Sequence, residues 1–266
     1  MPERAIGVFD SGVGGLTVLR ELRHQIPDEP LVYLGDTARV PYGTKSSPTV
    51  LRYAHEAARF LLAQRVKLLV VACNTASAVA LDDLASHYQV PVVGVIEPGA
   101  RRALEITRNG RIGVVGTEGT IRSGAYERAL RAGSPDVVVR VAACPLFVPL
   151  AEEGWACHEI ARLAAREYLT PLLEAGIDTL VLGCTHYPLL KQTLQGVVGP
   201  HVQLVDSAQE TAKVVASLLK QHQLLHHAAS APPPRYFVTD IPDRFERVGG
   251  AFLGEALQGV TTVSLD

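Results

Sequence analysis

The chain is poor in the features that mark disulfide-rich, metal-binding, nucleic-acid-binding and membrane proteins. It has 4 cysteines among 266 residues and no C-x-x-C pair, so neither a disulfide framework nor a zinc site is expected. A net charge of −2 gives no electrostatic basis for binding nucleic acid or an anionic membrane. No stretch reaches about 18 consecutive apolar residues, and no signal peptide precedes the first predicted strand. We therefore expect a cytoplasmic protein with reduced thiols.

The sequence also lacks the usual marks of an organic cofactor. Only five lysines occur, and none lies in the glycine-rich, phosphate-binding context of a pyridoxal lysine. Residues 10–17, DSGVGGLT, contain three glycines, but Thr17 stands where the G-x-G-x-x-G motif requires its last glycine. Asp36 lies near the spacing of a ribose-binding acid, yet a polar, turn-rich loop follows it. We expect no cofactor and no metal, with a nucleotide-binding fold as an alternative.

What the sequence does contain is a regular alternation of strands and helices. Short runs of β-branched and apolar residues predict strands at about 5–9, 31–34, 67–72, 91–95, 112–116, 137–142, 179–183 and 202–205. Helical stretches separate most of these runs. The pattern therefore predicts an α/β fold in which mostly parallel sheets are covered by helices on both faces.

The chain also repeats itself loosely. The segment IGVFDSG, which begins at Ile6, resembles IGVVGTEG, which begins at Ile112 and is offset by 106 residues. We therefore predict two similar α/β domains, the first formed by residues 1–98 plus 208–266 and the second by 99–207. The tail from Arg235 onward is predicted to add one or two strands and a short helix that pack on the N-terminal half.

Two cysteines stand in near-equivalent settings 111 residues apart. Cys73 lies in LLVVACNTAS and Cys184 in TLVLGCTHYP, each directly after a short apolar run. In an α/β fold, the carboxyl end of a buried strand is where reactive groups are placed. One such cysteine alone would indicate packing, but two at matched positions indicate chemistry. Facing one cavity, they would supply an acid and a base for inverting a carbon centre, whereas Cys144 and Cys157 are interpreted as packing or incidental thiols.

The residues around these cysteines are suited to binding a carboxylate. Asn74, Thr75 and Thr185 provide amide and hydroxyl donors, and His186 is near enough to tune Cys184 or to carry its proton. The loop after the first strand, Asp10 with Ser11, opens a helix whose free N–H groups suit an anion. The turn at Pro41, Tyr42 and Gly43 would offer the Tyr42 and Gly43 amides to an anionic group, although taken alone it is better explained as a plain loop. Asp10, Asp36 and the Glu152–Glu153 pair are candidates to orient or polarise the other groups.

Six of these motifs occur together, in order, between Ile6 and about Ser207: GVFDSGVGG, YLGD, PYG, ACNTAS, GVIEPG and LGCTHYP. Together they resemble the glutamate racemases, the cofactor-independent members of the aspartate/glutamate racemase superfamily. The resemblance implies two α/β domains with the active site between them. It also implies interconversion of L- and D-glutamate for peptidoglycan biosynthesis, and hence a role in cell-wall biogenesis and cell shape, by an enzyme that is commonly a homodimer.

The resemblance assigns roles to individual residues. It implies that Cys73 acts on D-glutamate and Cys184 on L-glutamate, on opposite faces of Cα. It implies that Asp10 and His186 assist the thiols and that Asp36 and Glu152 support them, with the choice between Glu152 and Glu153 open. The same resemblance implies a substrate site formed by Asp10, Ser11, Pro41, Tyr42, Gly43, Asn74, Thr75, Thr185 and His186.

Three alternatives remain at this point. A related racemase that inverts aspartate or another acid would use the same pair of thiols. A cysteine amidohydrolase would use Cys184 and His186 as nucleophile and base, but it leaves the motif around Cys73 unexplained. The third alternative is a non-catalytic module that binds small anions.

Overall fold

The strands of the chain form two parallel sheets. The structure, a computed structural model, describes residues 2–227 and 230–265. The first sheet contains six strands: β1 (Ile6–Asp10), β2 (Leu31–Gly35), β3 (Leu68–Val71), β4 (Val92–Gly94), β9 (Arg235–Val238) and β10 (Val260–Thr262). The second contains four: β5 (Arg111–Gly116), β6 (Val138–Ala143), β7 (Thr179–Gly183) and β8 (Gln203–Asp206). The predicted fold class, two α/β units with parallel sheets, is confirmed.

Eleven α-helices connect the strands within the described residues and cover the sheets. They are α1 (Leu16–Gln25), α2 (Ser47–Ala63), α3 (Asn74–His87), α4 (Ile96–Ile106), α5 (Glu118–Ser123), α6 (Ala125–Gly133), α7 (Phe147–Glu152), α8 (Glu159–Glu174), α9 (Lys191–Val198), α10 (Ser207–Gln221) and α11 (Pro242–Leu253). Every residue of β1, β3 and β7 is buried, because helices cover both faces of the sheets to which these strands belong. Across the described ranges, no helix is both long and apolar enough to cross a bilayer.

The two sheets share one topology, which explains the repeat in the sequence. The first sheet has the order β10-β9-β2-β1-β3-β4 and the second β6-β5-β7-β8. The order β2-β1-β3-β4 is therefore matched by β6-β5-β7-β8, with β1 equivalent to β5 and β3 to β7. The connections reverse direction beside β1 and beside β5, and such switch points open a crevice at the carboxyl ends of the strands. Cys73 and Cys184 follow the equivalent strands β3 and β7.

The C-terminal tail extends the first sheet, as predicted. Strand β9 pairs with β2, and β10 pairs with β9, while α11 packs on α1. The strands divide between the sheets as the predicted domains require, but α4 begins at Ile96, ahead of the predicted boundary after residue 98. Because α10 packs on both α1 and α4, the exact domain limits stay a prediction.

The helical stretches predicted from the sequence include no counterpart of α7, and the stretch predicted at about 121–132 merges the end of α5 with α6. Helices α5 and α7 contain only six residues each, which is too short to show a clear helical periodicity. Helix α7 also contains Pro149, which lies in its first turn, where the missing N–H costs no helical hydrogen bond. The omission matters because α7 ends at Glu152.

Candidate active site

A cavity of about 100 Å³ lies at the carboxyl ends of the two sheets, and both Cys73 and Cys184 line it. Eleven of the residues predicted for the site contribute to its walls: Ser11, Pro41, Tyr42, Gly43, Cys73, Asn74, Thr75, Glu152, Cys184, Thr185 and His186. Asp10 and Asp36 are buried outside the cavity wall. The two thiols therefore share one cavity, as the matched motifs predicted.

Cys73 is held at the start of helix α3. Its sulfur accepts a hydrogen bond from the Ala76 N–H at 3.4 Å and donates one to Ser11 Oγ at 3.7 Å. Burial and the charge of Asp10 raise the pKa of the Cys73 thiol to about 12, against the opposing effect of these two hydrogen bonds. Cys73 is therefore a protonated thiol at neutral pH.

Cys184 faces a chain of two further ionisable groups. Its sulfur lies 3.8 Å from His186 Nδ1, and His186 Nε2 lies 3.0 Å from Glu152 Oε1. Burial lowers the pKa of His186, but the hydrogen bonds with Cys184 and Glu152 and the charges of Cys184 and Asp10 raise it overall to about 10. The hydrogen bond with His186 holds the pKa of Glu152 below its usual range. At neutral pH the imidazolium can donate to both neighbours. Cys184 therefore has a cationic partner, whereas the corresponding partner of Cys73 is the neutral Ser11 hydroxyl.

Asp10 is buried just outside the cavity wall and contacts residues of both halves of the site. Its Oδ2 accepts from the Gly12 N–H at 2.9 Å, and its Oδ1 accepts from Thr185 Oγ1 at 3.4 Å. Burial raises the pKa of Asp10, against the charge of His186. The carboxyl group is thus held by contacts from the segment after β1 and from the segment after β7.

The polar end of the cavity contains one buried amide donor without an acceptor among the described residues, beside a cluster of threonine hydroxyls. Asn74 Oδ1 accepts from the Tyr126 hydroxyl at 2.7 Å, while Asn74 Nδ2 is buried and has no hydrogen-bond partner within residues 2–227 and 230–265. Thr75 Oγ1 lies 3.0 Å from Thr117 Oγ1 and 3.1 Å from Thr120 Oγ1. A buried amide donor is costly to leave unpaired, so this end of the cavity is suited to a carboxylate.

Thr117, Thr120 and Tyr126 are residues of the second half that sequence reasoning missed. Thr117 lines the cavity, and the repeat held the signal that would have found it. In the alignment offset by 106 residues, Ser11 corresponds to Thr117. Ser11 directly follows β1, and Thr117 directly follows the equivalent strand β5. Thr120 and Tyr126 lie on α5 and α6, where no comparable motif marks them.

Asp36 supports the turn at Tyr42 from outside the cavity. Its carboxylate is fully buried and accepts hydrogen bonds from the Tyr42 hydroxyl, from Arg39 Nε at 2.7 Å and from Thr239 Oγ1 at 2.9 Å. Burial and the charge of Asp36 raise the pKa of Tyr42, which stays protonated. Asp36 therefore holds the Tyr42 ring, and through it the turn whose Gly43 backbone packs against Thr117.

The geometry also distinguishes between the two adjacent glutamates. Glu152 contacts His186, whereas Glu153 follows the helix end and is exposed. Among the described residues, no group of three or more His, Cys, Asp or Glu side chains is arranged to hold a metal ion.

The family model described as Asp/Glu/Hydantoin racemase matches residues 6–215. The chain belongs to this family. It is therefore an isomerase of the racemase class, as its motifs predicted.

Relatives of this racemase match it over nearly its whole length. The glutamate racemase of Geobacter metallireducens is 59% identical over 266 residues, which are 100% of this chain and 98% of that protein. Among solved structures, a glutamate racemase isoform from Bacillus anthracis matches with a TM-score of 0.95 at 40% identity, covering 98% of both chains. The glutamate racemase of Francisella tularensis in complex with D-glutamate matches with a TM-score of 0.94 at 40% identity, covering 100% of this chain and 99% of that one. The aspartate racemase of Picrophilus torridus, at 17% identity and a TM-score of 0.56, shares the fold alone.

Proposed function

We propose that this racemase interconverts L- and D-glutamate without a cofactor, with Cys73 and Cys184 as the two acid–base groups. The observation that carries the proposal is that both thiols line one small cavity whose polar end holds the unpaired Asn74 amide. Relatives up to 59% identical are glutamate racemases, and the F. tularensis relative was solved with D-glutamate.

Two groups of donors in the cavity suit the two carboxylates of glutamate. Asn74, Thr75 and Thr185 would bind the α-carboxylate, with Thr117 completing the set. Ser11 and the turn at Pro41, Tyr42 and Gly43 would bind the side-chain carboxylate through a hydroxyl and backbone amides. Donors on the α-carboxylate also stabilise the negative charge that develops when Cα loses its proton.

The contacts of the two thiols suit the L-to-D direction as a starting point. Cys184, beside the His186 imidazolium, would remove the proton from L-glutamate. Cys73, whose pKa is raised by burial to about 12, would deliver its proton to the opposite face of Cα. The reverse reaction would start from the protonation state that this step leaves, with Asp10 and His186 assisting the two thiols and Asp36 and Glu152 supporting the site.

We further propose that the racemase is a cytoplasmic homodimer that supplies D-glutamate for peptidoglycan, and so supports cell-wall biogenesis and cell shape. The support is the resemblance of the motifs and the full-length similarity to glutamate racemases from bacteria such as G. metallireducens and Syntrophus aciditrophicus.

Substrate choice is tested by incubating the purified protein with L-glutamate or L-aspartate under reducing conditions and separating the enantiomers by chiral chromatography. We expect D-glutamate to form and aspartate to be turned over at least about 10²-fold more slowly. The shorter side chain of aspartate leaves buried donors of the site unpaired. Faster turnover of aspartate would identify the related racemase instead. An acyl-enzyme trapped on Cys184 would support the amidohydrolase, and tight glutamate binding without turnover would support the binding module.

A further inference from the structure

Helix α11, from the C-terminal tail, reaches across to the second half of the site. Arg244 on this helix donates from Nη2 to Glu152 Oε2 at 2.9 Å. The other oxygen of the same carboxylate, Oε1, lies 3.0 Å from His186 Nε2. Glu152 is thus held between a guanidinium on one side and the imidazole on the other, and the imidazole in turn contacts Cys184 Sγ at 3.8 Å.

Glu152 needs such a restraint because of where it lies. It is the last residue of the six-residue helix α7, and its side chain is 23% exposed. A glutamate side chain has several rotatable bonds, so without a second partner water would compete for it. Arg244 is itself about half-exposed, and exposed ion pairs contribute little to folding stability. The contact is therefore more important for orientation than for holding the fold together.

We propose that Arg244 is a positioning residue for the Cys184 side of the site, because it holds the Glu152 carboxylate in the orientation that contacts His186. The assignment of a catalytic task to His186 rests on the function proposed above, but the positioning of Glu152 does not. Helix α11 also contacts the imidazole itself, through Phe252, whose ring centroid lies 5.1 Å from that of His186 at an interplanar angle of 81°.

The ionisable groups around His186 make the proposal testable by titration. They are Cys184, two residues before it, Glu152 from α7 and Asp10 from the end of β1, with Arg244 behind Glu152. If Arg244 positions Glu152, then removing Arg244 weakens the hydrogen bond to the imidazolium and lowers the pKa of His186. If Arg244 acted only as a nearby cation, its removal would instead raise that pKa, because a like charge would be lost.

The first experiment measures the titration of His186 by NMR in the full chain without substrate, with the signal assigned by means of His186→Gln. We expect Arg244→Met to lower the pKa of His186 from its value of about 10 and Glu152→Gln to lower it in the same direction. Arg247→Met, which changes an exposed arginine on the same helix, is the matched control and should leave the pKa unchanged. An unchanged or raised pKa in Arg244→Met would overturn the proposal, whatever the substrate of the enzyme is.

The second experiment uses turnover. We expect Arg244→Met to reduce kcat about tenfold with little change in KM, and the double variant Arg244→Met/Glu152→Gln to be no slower than Glu152→Gln alone. Independent, multiplicative losses would show that Arg244 does not act through Glu152, and a rise in KM alone would make it a substrate ligand. If the unmodified enzyme does not racemise glutamate, the proposed function fails while the titration still decides the role of Arg244.

Discussion

Replacement of either Cys73 or Cys184 with alanine is expected to abolish racemisation of glutamate, with a loss of at least about 10⁴-fold in kcat in each variant. In the proposed mechanism each thiol is the acid–base group for one face of Cα, so removing one leaves that face without a proton donor or acceptor. On the Cys73 side the hydrogen-bond partner of the thiol is the Ser11 hydroxyl, which is far too weak an acid to replace it. Both variants should keep the fold, because the change removes one sulfur from the wall of an existing cavity.

The control for this prediction is Cys157→Ala. Cys157 is a free, exposed thiol outside the cavity, so we expect its replacement to leave kcat and KM unchanged. Enantiomer formation is followed by chiral chromatography and folding by circular dichroism. Full activity in either Cys73→Ala or Cys184→Ala would refute the two-base scheme.

Gly14→Ala has the second large expected effect. A Cβ atom at this position would lie 2.5 Å from His186 Nδ1 and closer still to Thr185 Oγ1. Gly14 does not have the left-handed φ that resists alanine, so the backbone accepts the change and the loop carrying Thr185 and His186 must move. Displacing a catalytic group by about 1 Å costs about 10²-fold, and we expect a fall of at least that size in kcat/KM.

The matched control for Gly14→Ala is Gly196→Ala. Gly196 lies inside α9, and a Cβ there would meet no atom within 4 Å. We expect unchanged kinetics and a gain in unfolding free energy of up to about 1 kcal/mol, since alanine is the better helix former. Urea unfolding distinguishes a loss of activity from a loss of stability. We expect Gly14→Ala to lower kcat/KM strongly and the free energy of unfolding only slightly. Kinetics for Gly14→Ala equal to those of the unmodified enzyme would show that the contact with His186 is unimportant.

The strands and the paired thiols were predictable because both depend on local patterns. Runs of buried apolar residues mark β1, β3 and β7. Because the topology is repeated, Cys73 and Cys184 lie at the carboxyl ends of equivalent strands in the two sheets. Thr117 was predictable in principle from the same repeat.

Other parts of the site depend on contacts that no local pattern contains. Arg244 and Glu152 are separated by 92 residues and meet because α11, which packs on α1, brings Arg244 to the end of α7. Asp36 directly follows β2, which lies on the opposite side of β1 from β3. Its carboxylate therefore reaches the Tyr42 turn and not the cavity, a distinction that depends on strand order.

Proton exchange by two different groups on opposite faces of Cα is tested most directly by deuterium incorporation during the first turnovers. In deuterated water, starting from L-glutamate, we expect the D-glutamate formed to carry deuterium at Cα, while the unreacted L-glutamate keeps its protium. Protium carried from L- to D-glutamate, or deuterium entering both enantiomers equally fast, would contradict the two-base scheme.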